Sequence, residues 1–332
     1  MADLTRSDRR NFALPAAVIA ALCLGTCATA SFAQSFPSRP ITMVVPVSAG
    51  SAQDFIARLL GPMLSQKFGQ PVIVDNKVGA SGTIGAAAVA RSAPDGHTLF
   101  LGATIFSMAP ALQKSLPYDP LTDFAPIAPL CLAPMGLVVH ASVPANTLQE
   151  LVSLAKAKPG ALNYGSPGNG SPHHMLMELF KQQAGVNLLH VPYKALGGMV
   201  NDVTAGNIQA AFMTVFQIMP QAQAGRLKLL AVDGAQRAGA APNVPTFTQA
   251  GIAGLEGQSW LGMLAPGKTP PEIVRRLNQE INILLALPEV QEAIIKLGLV
   301  IVPGTPEDLA ARIRRDLELW PKVVERGGIK AD

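Results

Sequence analysis

Three times along this chain an apolar run ends in a loop of mainly small residues that leads into a helical pattern, at residues 48–51, 76–85 and 165–171. Recurrent strand, loop and helix predict an α/β fold with a mostly parallel sheet. A proline-rich stretch at 116–134 separates the first two loops from the third. That spacing fits two α/β lobes facing each other across a cleft, where loops at the carboxyl ends of strands from both sides meet a ligand. The first loop, in VVPVSAGSAQDFIARLL, has the small residues and helix start of an anion cradle, because unpaired N–H groups gather at a helix N-terminus. It reads equally well as an ordinary strand-to-helix connection.

The flanking patterns are specific. Residues 41–47 read as a buried strand, and Ile56, Leu59, Leu60, Met63 and Leu64 repeat at helical spacing behind it. Ser51 stands where a cap belongs and Asp54 at the third helical position, a capping-box spacing. Further strands are expected at 72–74, 97–102, 137–140, 162–164, 188–191, 208–213 and 227–232, with helices at 86–92, 147–156 and 173–184 and others filling the gaps. Prolines break any helix over 116–134, which reads as extended chain or linker. Three C-terminal helices, at 271–287, 288–297 and 306–325, each open on a proline, whose missing N–H costs nothing there.

Residues 1–33 read as a cleaved signal peptide: a basic start, an apolar stretch too short for a membrane span, then small residues ending at Ala33. Arg9-Arg10 gives it a twin-arginine character, although the general secretory route stays open. Cleavage removes Cys23 and Cys27 and leaves Cys131, expected as a small buried apolar residue. A hydrophobic share of 49% against 14% charged residues makes the rest globular. The net charge of +4 is scattered without a basic run, which argues against nucleic acid as partner.

Enzyme signatures are sparse. Ser81 has Gly79 two places before it but Thr83 two after, so it makes no nucleophile elbow. Glycines spaced by three at 79, 82 and 85 do not form a dinucleotide fingerprint, and no nucleotide-binding loop is expected. His174 and Glu178 share a helix face, but the remaining histidines are isolated, so no metal and no cofactor is assigned; the bland account is a polar first turn bonding to its own loop.

The ordered motifs then resemble one family. Pro37-Ser38-Arg39-Pro40-Ile41 through Asp54, Gly69-Gln70-Pro71-Val72, Asn76 with Gly79, Gly82 and Gly85, Ala93-Pro94-Asp95-Gly96 and Leu116-Pro117-Tyr118-Asp119-Pro120 are similar to the Bug family. Tyr164-Gly165-Ser166, Gly168-Asn169-Gly170-Ser171 with His174, His190-Val191-Pro192-Tyr193-Lys194, Ser259-Trp260, Leu264-Ala265-Pro266-Gly267 and Arg276-Leu277-Asn278 continue the pattern in order. These are the periplasmic receptors of tripartite tricarboxylate transporters. The resemblance implies a type II-like periplasmic binding protein, monomeric, catalysing nothing, that closes two lobes on a small organic carboxylate and hands it to membrane permease subunits. It implies one lobe from residues 34–138 plus 255–332 and another from 139–254. Carried over position by position, it nominates Val47, Ser48, Ala49, Gly50 and Ser51 on one lobe and Ser166, Asn169, Gly170 and Ser171 on the other. Asp54 matches as either ligand contact or cap.

Three departures bear on the ligand. Val47 and Gly50-Ser51 stand where many relatives have Phe and a Gly-Gly pair, and Ala195 replaces a glycine after Tyr193-Lys194. Phe212-Met213-Thr214 replaces Phe-Asp-Asn, and an acid lost beside the pocket argues against a ligand amine, because a buried ammonium needs a partner. Met213, with Thr214, is expected to favour an apolar or aromatic ligand body. Two other functions share the sequence: a sensor passing its closed state to a receptor kinase, and an exported α/β enzyme.

Overall fold

The computed structural model describes residues 36–255 and 259–330, so the expected signal peptide and its two cysteines lie outside the described residues. From Arg39 onward the chain forms one compact unit; of the unit before it only residues 36–38 are described. The compact unit holds two sheets. The first contains β1 (Ile41–Val45), β2 (Val72–Asn76), β3 (Thr98–Ala103), β4 (Phe124–Leu132), β10 (Trp260–Pro266) and β11 (Val300–Ile301), in the order β11-β4-β10-β3-β1-β2. The second contains β5 (Met135–His140), β6 (Asn163–Ser166), β7 (Leu189–Pro192), β8 (Ala210–Thr214) and β9 (Leu227–Val232), in the order β7-β6-β8-β5-β9.

Helices α1 (Ala52–Phe68), α2 (Thr83–Ala90) and α3 (Thr104–Leu112) follow β1, β2 and β3. Around the second sheet run α4 (Leu148–Ala157), α5 (Pro172–Ala184), α6 (Leu196–Ala205) and α7 (Val215–Gln223); α8 (Pro271–Leu285), α9 (Pro288–Lys296) and α10 (Pro306–Gly327) close the chain. Ser51, Thr147, Ser171 and Thr305 each accept the backbone N–H three residues on, satisfying one orphan donor per helix start.

The expectation of a mostly parallel sheet fails. β1 is parallel to β2 and β3, but β10 enters antiparallel between β3 and β4. In the second sheet β6 is parallel to β7 and β8, whereas β5 is antiparallel to β8 and β9. The reason is connectivity: β10 returns from the second sheet, entering the first from the end where β3 and β4 finish. Trp260–Pro266 is buried at every position and was not foreseen as a strand. Of the two readings of the proline-rich stretch the extended one holds, since Phe124–Leu132 is a nine-residue strand. Its prolines survive because β11 pairs only with Cys131 and Leu132, and because Pro126 and Pro129 face register shifts in β10. Cys131 is 1% exposed, as expected.

The chain crosses between sheets at residues 133–134 and again between β9 and β10. The first crossover is pinned to the second by a buried carboxylate: Met135 N–H donates to Asp233 Oδ1 at 2.6 Å, and Asp233 N–H to Met135 O at 2.8 Å. Two helices span both cores. α10 contributes Leu309 and Ile313 to the cluster around Phe100 and Trp260, and Trp320 and Val323 to the cluster around Leu137, Tyr164 and Phe180. α3 sends Phe106 to the former and Met108 to the latter.

Candidate functional site

Where the two sheets' loops approach one another lies a cavity of about 580 Å3. Ala80 and Ser81 line it from the loop after β2, and residues 167–171 from the loop after β6. Between them stands one face of α3, presenting Ile105, Ala109 and Leu112 at spacings of four and three, with Gln113 just beyond. No lining residue is charged at neutral pH. A neutral donor set of hydroxyls, amides and backbone N–H groups, beside an apolar wall, suits an organic anion bound without a counter-charge.

The 166–171 loop is braced from beneath. Ser166, fully buried, donates its hydroxyl to Gly168 O at 2.9 Å and lies 2.7 Å from His190 Nε2. Ser171 donates to the same carbonyl at 2.7 Å while capping α5 through His174 N. Gly170 N–H donates to His174 Nδ1 at 3.1 Å, which places the proton of the neutral ring on Nε2. The His174 ring stacks on His190 with centroids 3.9 Å apart, and His190 on Tyr164 at 4.9 Å. Tyr164 donates to Glu178 Oε1 at 2.5 Å, and Lys181 pairs with the same oxygen at 2.6 Å. The bland reading of the paired histidines therefore describes His174: it holds its own loop. Burial lowers the pKa of the neighbouring His173 to about 4, so that ring is neutral at pH 7.

At the first loop the cradle is occupied by the protein itself. Gly50 N–H donates to Asp54 Oδ2 at 2.9 Å, and Asp54 N–H to Ser51 Oγ at 3.2 Å. The carboxylate reaches one residue further back than a capping box would, to Gly50 instead of Ser51. Arg58 Nε donates to both of its oxygens at 3.0 and 3.1 Å, and Asn76 Nδ2 bridges Oδ1 and Val47 O. The Arg58 hydrogen bond first, then Gly50 N–H, hold the Asp54 pKa down to about 2 against the opposing effect of its burial.

Of the residues nominated by sequence, Asn169, Gly170 and Ser171 line the cavity, and Ser166 supports them from below. Val47, Ser48, Ala49, Gly50 and Ser51 are not in its lining, and neither is Asp54; Ser48, Ala49 and Gly50 are exposed. Met213 is the clear departure: its side chain is fully buried among Val138, Met199, Val203 and Ile218, on the face of β8 opposite the one Phe212 presents to Tyr164 and Phe247. Strand alternation sends it into a core, so it offers no wall to a ligand. Thr214 is half-buried at the start of α7 and outside the lining. The lining residues that sequence reasoning did not nominate are Ala80, Ser81, Pro167, Gly168, Gln113 and the α3 face; the runs of small residues at 76–85 and 165–171 were the available signals.

One motif was passed over. Gly262, Gly267, Lys268 and Thr269 carry the spacing of a phosphate-binding loop. β10 runs straight through the intervening residues, all buried, and a Cβ at Gly267 would collide with Thr122 O. An extended strand cannot wrap a phosphate, so the spacing carries no such site. Among the described residues no group of three or more metal-ligating side chains comes together, and no helix is long and apolar enough to cross a membrane.

With this geometry in hand, likeness to known proteins is informative. Residues 56–329 match the model of the tripartite tricarboxylate transporter family receptor. The chain is 34% identical over 300 residues to Protein BugT of Bordetella pertussis (strain Tohama I), covering 90% of this chain and 92% of the relative. Among solved structures, R. palustris Rpa4515 with adipate is 33% identical at a TM-score of 0.74, covering 90% of this chain and all of the other. MatC (Rpa3494) from Rhodopseudomonas palustris with bound malate is 31% identical at a TM-score of 0.70, covering 87% and 100%.

Proposed function

The chain belongs to the tripartite tricarboxylate transporter receptor family, and on that premise we propose that it captures a small organic carboxylate lacking an amine and delivers it to a membrane permease. Residues 1–33 direct it to the periplasm, where the lobes, 34–138 plus 255–332 and 139–254, sample open and closed forms. A ligand touching both lobes shifts the population toward closed, and the permease reads that form. The reading is supported above all by the cavity of about 580 Å3, which takes its lining from loops of both sheets and contains no charged side chain. Without an acid there, a ligand ammonium would be buried unpaired, whereas a carboxylate finds amide and hydroxyl donors. The adipate- and malate-bound relatives favour the same class.

A thermal-shift screen of mono-, di- and tricarboxylates and aromatic acids, with aspartate and glutamate alongside, tests it. A ligand present at about 100 times its Kd stabilises the native chain by about 2.7 kcal/mol. Silence across the carboxylates would overturn the assignment, and tight binding of aspartate or glutamate would overturn the exclusion of amines.

A further inference from the structure

The turn that brings Ala80 and Ser81 to the cavity is held in an unfavourable backbone. Four successive residues have positive φ: Gly79 at 135°, Ala80 at 46°, Ser81 at 53° and Gly82 at 90°. Glycine tolerates this region freely, but Ala and Ser pay for a Cβ crowding the backbone. The turn is wedged in place, since a Cβ on Gly82 would stand 3.3 Å from Pro46 and one on Gly85 3.1 Å from both Pro46 and Lys77 O. Two adjacent residues other than glycine in this region, both at a cavity wall, are outliers of the kind that cluster at ligand sites.

The donors around the cavity are unevenly committed. In the loop after β1, which lies outside the cavity lining, Gly50 N–H is given to Asp54 and Ser51 N–H to Ser48 O, while the N–H groups of Ser48 and Ala49 have no partner among the described residues. In the loop after β6, the N–H groups of Gly168, Gly170 and Ser171 and the hydroxyls of Ser166 and Ser171 all have partners inside the loop or in the helix behind it. The N–H groups of Ala80 and Ser81 and the Ser81 hydroxyl have none among the described residues. Successive N–H groups of a left-handed turn form a concavity suited to an anion.

We propose that the turn Gly79–Gly82, with Ser81 at its centre, is the element of the first lobe that holds the ligand's carboxylate: Ala80 N–H, Ser81 N–H and the Ser81 hydroxyl meet it opposite Asn169. The proposal rests on the carboxylate reading above and deepens it. It also explains the strain. A glycine at 81 would relax the backbone, but it would remove the hydroxyl.

Malate, adipate and benzoate serve as probes in calorimetric titrations of the mature chain, with melting temperatures measured on the same samples. Ser81→Gly raises the ligand-free melting temperature by about 2–4 °C. The same change weakens whichever probe the wild type binds by about tenfold, the loss of one charge-assisted hydrogen bond. Ser81→Ala keeps the backbone cost, leaves the melting temperature unchanged and weakens binding to a similar extent. Opposite signs for stability and affinity in Ser81→Gly are what a merely structural turn would not give. Wild-type affinity in both variants, with binding by the wild type intact, overturns the role of Ser81 alone. A fall in melting temperature for Ser81→Gly overturns the strain argument. No binding of any probe by the wild type overturns the carboxylate reading and this inference together.

Discussion

Asp54 takes the place that an external anion would have at the start of α1. Small residues and a helix N-terminus do gather N–H groups at 48–51, but the nearest negative charge belongs to the chain, four residues away, and its effective concentration exceeds that of any solute. The carboxylate ties Gly50, Arg58 and Asn76 together and so sets the path of the first loop. Asp54→Asn keeps the shape but loses charge-assisted bonds and turns an acceptor into a donor; it should cost about 1–3 kcal/mol in urea unfolding at pH 7. Its folded pKa of about 2 lies below the ordinary 3.8, so this stability is fully present above pH 3.8 and is lost as pH falls through 2. The gap between wild type and variant should therefore close in acid. A gap that persists at pH 2 would show that the carboxylate's charge is not what stabilises the loop.

At the scale of elements, α3 carries most of what the sequence concealed. Its pattern is apolar nearly all round, because Phe106 and Met108 enter two different cores while Ile105, Ala109 and Leu112 face the cavity. No single hydrophobic stripe distinguishes such a helix from filler, and its role depends on which sheet stands on each side. By contrast α1 and the C-terminal helices were legible, since one face of each is buried and a cap or proline marks the start, and α5, buried nearly all round, was legible from Ser171 and Pro172 at its start. β10 was missed for the opposite reason: a strand buried on both faces has no alternation to betray it. In the candidate site, 169–171 came from the family resemblance, since small-residue chemistry alone left that loop an ordinary connection, whereas Met213 could not be placed without the phase of β8. Gly170 joins α3 to that loop. At φ 70° a Cβ there would sit 3.0 Å from both Leu112 methyls. Gly170→Ala should cost about 1 kcal/mol from backbone strain alone, plus a steric part. Adding Leu112→Ala should return only the steric part relative to Leu112→Ala by itself, a coupling measurable by a double-mutant cycle of melting curves.

For the whole molecule, two sheets need not mean two independent folding units. α10 is 22 residues long, about 33 Å at 1.5 Å per residue, enough to run from the core around Trp260 to the core around Tyr164. Midway along it Asp316, wholly buried, accepts Ser107 Oγ–H of α3 at 2.6 Å and Trp260 Nε1–H of β10 at 2.7 Å. Helices shared by two cores make each core's unfolding expose part of the other, which favours one cooperative transition. Calorimetry of residues 34–332 should give one peak whose calorimetric and van't Hoff enthalpies agree, and Trp320→Ala should lower that single peak by about 3–5 kcal/mol of stability without splitting it. Burial raises the Asp316 pKa, an effect its two hydrogen bonds oppose. A native pKa above the unfolded one means stability that is present below the unfolded value and is lost as pH rises through the folded one. Asp316→Asn removes this titration while keeping an acceptor for Trp260. Relative to wild type, the variant should gain ground as pH rises above the ordinary 3.8. A difference between the two melting curves that stays constant across that range would mean Asp316 takes up no extra proton on folding, its hydrogen bonds from Ser107 and Trp260 then offsetting the effect of burial.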